Sequence, residues 1–245
     1  MNMNTSEHSS NGSPNDHQNS TTVVRKPLTV SASDDVSMLI ETVSGKLVNI
    51  TNPSEDQICL QDIAWATSRI PRFAGHTITG VPYNVAQHSV YVSMLLEELL
   101  NNNKDFSPNS VVMKSIEHVR VASDRNEVLM KALLHDAHEA YTGDIPSPIK
   151  KIPELAETFR LIENRLDHAI LLKFCLSEVS PQEKMVIKYC DKLAQAIEGY
   201  QFMPSRGLNW LLPKPSLIML QSFQEPKEAI KSYEDFISRY DYLLA

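Results

Sequence analysis

The stretch His135-Asp136-Ala137-His138-Glu139 concentrates imidazoles and carboxylates in a few positions. His135 and Glu139 are four apart, so a helix puts them on one face. Asp136 stands about 100° further round, near enough to hold the same ion as His135. Upstream, His88 in Gln87-His88-Ser89 lies on an amphipathic segment and can point inward. Downstream, Asp191 in Cys190-Asp191-Lys192 falls in mid-helix, where Asp is unfavourable without a reason. His88, His135, Asp136 and Asp191 together make a mixed nitrogen and oxygen donor set. Such a set suits Zn, Co, Mn, Mg or Fe and does not choose among them. At least one divalent ion per site is therefore expected. A divalent ion lowers the pKa of a bound water from about 15.7 towards ~7 and screens phosphate charge. Glu139, one turn beyond His135, is placed to orient that water or take its proton.

These side chains need a frame, and the hydrophobic pattern supplies one. Met38–Val43 and Lys46–Ile50 are β-prone around a Ser44-Gly45 turn, which predicts a hairpin. Asn52-Pro53 ends it. Helical periodicity follows over 60–69, 84–100, 127–141, 153–176 and 225–243, with a short helix near 109–119. Thr142–Pro148, with a Gly and two prolines, stops the helix of 127–141. Ser180-Pro181-Gln182-Glu183 reads as a capping box with Pro at the first helical position, opening a helix to about Phe202. Residues 1–27 are rich in Ser, Asn and Thr and hold few large apolar groups, so a disordered tail carrying His8 and His17 is expected. Residues 28–245 then form a single domain, an all-α bundle with a small N-terminal β-hairpin.

Composition sets the outer limits. A chain of 245 residues, 42% hydrophobic, is long enough for one well-buried core. Its formal net charge of −7 argues against binding a nucleic-acid polymer, which needs surplus Lys and Arg. A small nucleotide remains compatible, because an ion and a few local bases can hold one phosphate group. Cys59, Cys175 and Cys190 fit neither a disulfide framework nor a zinc ribbon and read as reduced, mostly core thiols. No apolar signal core or membrane-length run is present in the sequence, which points to the cytoplasm and away from membranes.

The order His88, His135-Asp136, Asp191 resembles the HD-domain phosphohydrolases. The closer likeness, over roughly residues 38–200, is to bacterial 5′-deoxynucleotidases and phage deoxynucleotide triphosphohydrolases, dATP-type enzymes among them. It rests on Gln87-His88-Ser89, on the run from His135 through Gly143-Asp144-Ile145-Pro146 to Lys150, and on Asp191-Lys192. That resemblance implies an HD-domain helical bundle and identifies Glu139 as the catalytic carboxylate. It implies that Arg72 meets substrate phosphate, that Phe73 lies by the nucleoside where Trp is frequent, and that Asp144 stands near the sugar and leaving group. Lys150 would reach further phosphates. His76 either lines the pocket or shapes a turn. The expected activity is hydrolysis of the 5′ phosphate or phosphates of a 2′-deoxynucleotide, in nucleotide-pool control, by a homodimer or a multiple of dimers. The alternatives on such a scaffold are a phosphodiesterase or alarmone hydrolase, and a nucleotide-binding regulator with little turnover. Of the remaining candidates, His138 reads as a support behind the ligands or a surface residue. His118 and His168 read as surface, and Trp65 and Trp210 as core or interface.

Overall fold

Thr42, at the end of the predicted first strand, and Ser44, in the predicted turn, both reach Asp62, and that contact docks the hairpin on the helical body. In a computed structural model of the protein, which describes residues 38–101, 106–221 and 225–245, strands β1 (Leu39–Glu41) and β2 (Leu47–Asn49) pair antiparallel, Ile40 opposite Val48. Thr42 Oγ1, Ser44 N and Ser44 Oγ donate to the Asp62 carboxylate at 2.8, 2.9 and 2.7 Å. Val48 is fully buried beneath. The expected tail, with His8 and His17, lies outside the described residues.

The other regular elements of the described chain are helices joined by turns and loops. Helix α1 (Leu60–Thr67) follows the hairpin. Helix α2 (Val85–Leu100) starts at Asn84, whose side chain accepts from Gln87 N. Helices α3 (Ser110–Ala122) and α4 (Arg125–Leu133) are likewise capped, by Asn109 and Asp124. Short helices α5 (Glu139–Thr142) and α6 (Ser147–Lys150) lead into the long α7 (Pro153–Lys173). Helix α8 (Pro181–Phe202) carries the capping box as expected, with Ser180 and Glu183 exchanging hydrogen bonds. A short α9 (Leu217–Gln221), which the periodicity did not suggest, and α10 (Ala229–Leu244) close the chain.

Helix α2 is the hub. It packs on α4, α8 and α10, and α8 also carries α3. Ala86, Val92 and Leu96 of α2 meet Leu129 and Leu133 of α4 and Leu193 and Ile197 of α8 in one apolar core. Met94 and Glu98 keep a narrow solvent face on α2, and His88 lies away from it, fully buried, which for an imidazole calls for specific partners. Among the described residues no helix is long and apolar enough to cross a membrane.

Two expectations are corrected. The single helix over 127–141 is split. Regular α4 stops at Leu133, and from Leu134 the backbone bonds tighten: Ala137 N to Leu134 O, Glu139 N to Asp136 O and Ala140 N to Ala137 O. These are three-residue steps of the 3₁₀ type. In the same turn the His135 ring Nδ1 bonds to the Ala132 carbonyl at 2.9 Å. The cysteines are all free, but only Cys190 is buried. Cys59 is half-buried, and Cys175 is exposed just past α7, at a φ of 53°.

Candidate active site

Three segments deliver the predicted ligands to one place. Helix α2 brings His88, the tightened turn after α4 brings His135 and Asp136, and the middle of α8 brings Asp191. His88 Nε2 lies 3.5 Å from both Asp136 Oδ2 and Asp191 Oδ1, and His135 Nε2 lies 3.2 Å from Asp136 Oδ2. Donor atoms of His88, His135 and Asp191 fall within 4.8 Å of one another, a spacing fit for one ion.

The ring nitrogens show why an ion fits. His88 Nδ1 is committed to Glu198 at 2.6 Å and His135 Nδ1 to the Ala132 carbonyl. Their Nε2 atoms are buried and lack a hydrogen-bond partner. A histidine fixed through Nδ1 with Nε2 free inward is the arrangement of a metal-binding imidazole. Electrostatics makes the same demand. Burial, then the charges of Asp136 and Asp144, push the Glu139 carboxyl up to about 10. Burial opposes charge on Asp191 too, but contact with His88 holds it far below the ordinary carboxylate range. So many carboxylates in one buried pocket call for positive charge.

Glu198 is the residue that sequence reading missed. It is fully buried, accepts from Arg72 Nε at 3.1 Å and holds His88 from behind. Its signal was present, since Glu198 lies seven residues beyond Asp191, two turns along the same face of α8. Burial works against charge on Arg72, but Glu198 and then Asp136 keep its guanidinium firmly protonated. Arg72 Nη1 stands 3.7 Å from Asp136 Oδ2, so the arginine flanks the predicted ion site.

The other candidates divide. Arg72, Phe73, Asp144 and Lys150 all line the same large cavity as His135, Asp136, Glu139 and Asp191. Lys150 Nζ reaches Glu163 at 2.7 Å and Glu139 at 3.9 Å. Asp144 follows Gly143, whose φ of 77° and ψ of 164° suit glycine almost alone. Phe73 and Ala74 both hold left-handed backbone, φ 55° and 51°, an uncommon cost for side-chain-bearing residues that bends the chain sharply after Arg72. His76 is exposed and absent from the cavity wall; it ends the turn, its N–H bonding to Phe73 O.

His138 is neither a surface residue nor remote. It is buried on the cavity wall with Nδ1 2.9 Å from Asp167, its Nε2 is unpartnered, and with Asp136 and Glu139 it forms a second group within reach of an ion. The tightened turn, rather than a continuous helix, brings it inward. His118 and His168 are exposed, as expected. Trp65 packs on Tyr233 and Arg69, whereas Trp210 lines the cavity and stacks on Phe73.

Side chains spaced to hold an ion, backed by Glu198, stand beside a clamped arginine on the wall of a large cavity that mixes charged and apolar groups, and the chain is a metal-dependent phosphohydrolase. Comparison with known proteins narrows the class. The sequence profile of the YfbR-like 5′-deoxynucleotidases matches residues 67–203, and the chain belongs to that family. It is 32% identical over 171 residues to the uncharacterised protein YfdR of Escherichia coli K12, covering 70% of this chain and 76% of YfdR. It is 27% identical over 161 residues to the 5′-deoxynucleotidase VP0926 of Vibrio parahaemolyticus, covering 60% and 76% of the two chains. Against the 5′-deoxynucleotidase YfbR of Shigella dysenteriae the identity is 24% over 172 residues, covering 64% and 79%.

Proposed function

We propose that the protein hydrolyses the 5′ phosphate of 2′-deoxynucleotides, with His88, His135, Asp136 and Asp191 holding a divalent ion. The observation that carries this reading is the pair of buried, unpartnered Nε2 atoms of His88 and His135, facing carboxylates in a chain of a 5′-deoxynucleotidase family. When bound, the ion acidifies water and offsets phosphate charge. The protein's own groups do the rest. Arg72, kept charged and oriented by Glu198, takes the phosphate oxygens and stabilises the charge that builds on them. With a divalent ion offsetting the charges of Asp136 and Asp144, the Glu139 carboxyl would ionise, orient the attacking water and accept its proton. Asp144 accepts from the 3′ hydroxyl of the sugar and stands beside the leaving oxygen, and Lys150 reaches over the Glu139 side of the cavity.

A longer phosphate chain is the second reading. The cavity, of about 1300 Å³, exceeds the ~300–1,000 Å³ of an ordinary ligand pocket, and Lys150, Lys151, Lys188 and Lys192 line it. A triphosphate would find both room and charge there. The same functional reading takes the protein as a cytoplasmic enzyme working as a dimer or a multiple of dimers, its residues 28–245 forming one domain.

Product analysis tests it. Deoxynucleoside mono-, di- and triphosphates and their ribose counterparts are incubated with Co, Mn, Mg, Zn or Fe(II), and released phosphate, pyrophosphate and triphosphate are separated. Phosphate from dAMP supports the monophosphate reading, and triphosphate from dATP the longer-chain one. A buried ribose 2′ hydroxyl without a partner costs ~1–3 kcal/mol, so the deoxy forms should be favoured by about one to two decades. No hydrolysis of any nucleotide with any of these metals would overturn the proposal.

A further inference from the structure

Beyond α8 the chain makes a run of turns, with Arg206 N bonded to Met203 O, Leu208 N to Ser205 O and Trp210 N to Gly207 O. This segment lies past the part of the chain that the family profile matches, and the established chemistry gives it no task. Its one large aromatic, Trp210, is half-buried and turned back onto the cavity. Two contacts fix the ring. It stacks on Phe73, with centroids 5.7 Å apart and planes 28° from parallel. It also abuts Gly199, so closely that a β-carbon there would come 2.5 Å from the ring. Glycine in mid-helix is unfavourable by itself, and here it admits the indole.

The neighbours give the position meaning. Gly199 follows Glu198, which holds His88 and Arg72, and Phe73 follows Arg72. Ile78 N donates to Phe202 O at 2.9 Å, tying the Arg72–Phe73 turn to the end of α8. The aromatic pair is thus anchored to the residues that frame the phosphate end, yet neither ring belongs to the ion site. A flat apolar surface at that place suits the ring end of a nucleotide whose phosphate sits on Arg72.

We propose that Trp210, paired with Phe73, is the wall on which the nucleobase packs. The inference rests on the deoxynucleotidase reading and adds a recognition residue to it. Stacking of this kind accepts any base, because each has an aromatic face, so Trp210 sets affinity for nucleotides as a class.

The test compares dAMP with deoxyribose 5-phosphate, which carries the same phosphate and sugar without a base. Trp210→Ala should lower kcat/KM for dAMP by about tenfold, through KM, and change deoxyribose 5-phosphate by less than about twofold. Equal losses on both substrates, or no loss on dAMP, would overturn the wall. Binding gives a second measurement that needs no turnover. In a Trp65→Phe variant Trp210 is the sole indole, and dAMP should quench its emission while deoxyribose 5-phosphate does not. Absence of that difference overturns the inference even if Trp210→Ala fails to fold. Wild-type protein that hydrolyses no nucleotide would sink the deoxynucleotidase reading instead, and the quench would still report on the wall.

Discussion

Glu198 holds two side chains at once, accepting from Arg72 Nε and fixing His88 Nδ1. Removing it leaves a buried guanidinium whose remaining ion-pair contact among the described residues is Asp136 at 3.7 Å, and a buried imidazole without its Nδ1 partner. Glu198→Ala is therefore expected to cost ~3–5 kcal/mol of stability and ~10–100-fold in metal affinity, read by denaturant unfolding and metal titration. Glu198→Gln keeps an acceptor for the ring and should lose less of both. Unchanged metal affinity in a folded Glu198→Ala protein would show that the ligands do not depend on this carboxylate. Glu139 differs, because it stands on the cavity wall beside the predicted ligands. Glu139→Ala should keep the ion bound by the four predicted ligands and lose ~10²–10⁴ in turnover. Metal analysis alongside phosphate release separates the two effects, and near-normal turnover would move the water-activating role to another group.

Helix α8 does structural and chemical work along one length. Its first turn is fixed by Ser180 and Glu183, its middle carries Asp191, and its last turns carry Glu198 and Gly199. Glu183 serves twice, since it also pairs at 3.2 Å with Lys131 of α4, a buried ammonium that Ser177 and Glu127 also contact. Glu183→Ala removes half the cap and one of two carboxylates on a buried charge, so a loss of about 3 kcal/mol is expected. The loss should depend on pH in a fixed direction. Burial opposes charge on Glu183, but Ser180 and Lys131 prevail and hold its carboxyl below the ordinary 4.5. A depressed carboxyl stabilises the fold above its unfolded value and loses that effect as pH falls through its folded one. The stability gap between wild type and Glu183→Ala should be full at pH 7 and shrink below about pH 4.5. A gap independent of pH in that range would remove the ion pair from the account.

At the scale of the whole molecule, the predicted ligands come from α2, the turn after α4 and α8, so an ion bound there would tie the three together. An ion held only by the folded chain adds stability by mass action, about 2.7 kcal/mol at a hundred times its dissociation constant. Chelation should therefore lower Tm and abolish turnover together, and added Co or Mn should restore both. An Asp191→Asn protein should show little of this metal-dependent shift, and an equal shift there would place the stabilising ion elsewhere. Residues 1–27 belong to the same scale. Their composition gives them little apolar surface to bury, so deleting them should leave Tm and turnover within error. A clear fall in either would give the tail a structural part.

The sequence by itself determined the helical class, the hairpin and the capped start of α8, and it offered the His135-Asp136 pair as ligand candidates. Each of these is written locally, as apolar periodicity, a Ser-Pro-Gln-Glu cap or an adjacent His and Asp. What tertiary structure alone decided is how those pieces meet. Periodicity alone gives a continuous helix over 127–141, and only the folded chain shows the tightened turn after Leu134 with His138 on the cavity wall. Glu198 looked like one acid among many until the packing of α2 on α8 buried it against His88 and Arg72. Trp210 reads from the sequence as core or interface, and only the folded chain shows it on the cavity wall, against Gly199 and beside Phe73. The difference is one of range. Caps and periodicity act over a few residues, whereas contacts such as Arg72 with Glu198 join positions far apart in the chain and exist only once the bundle has closed.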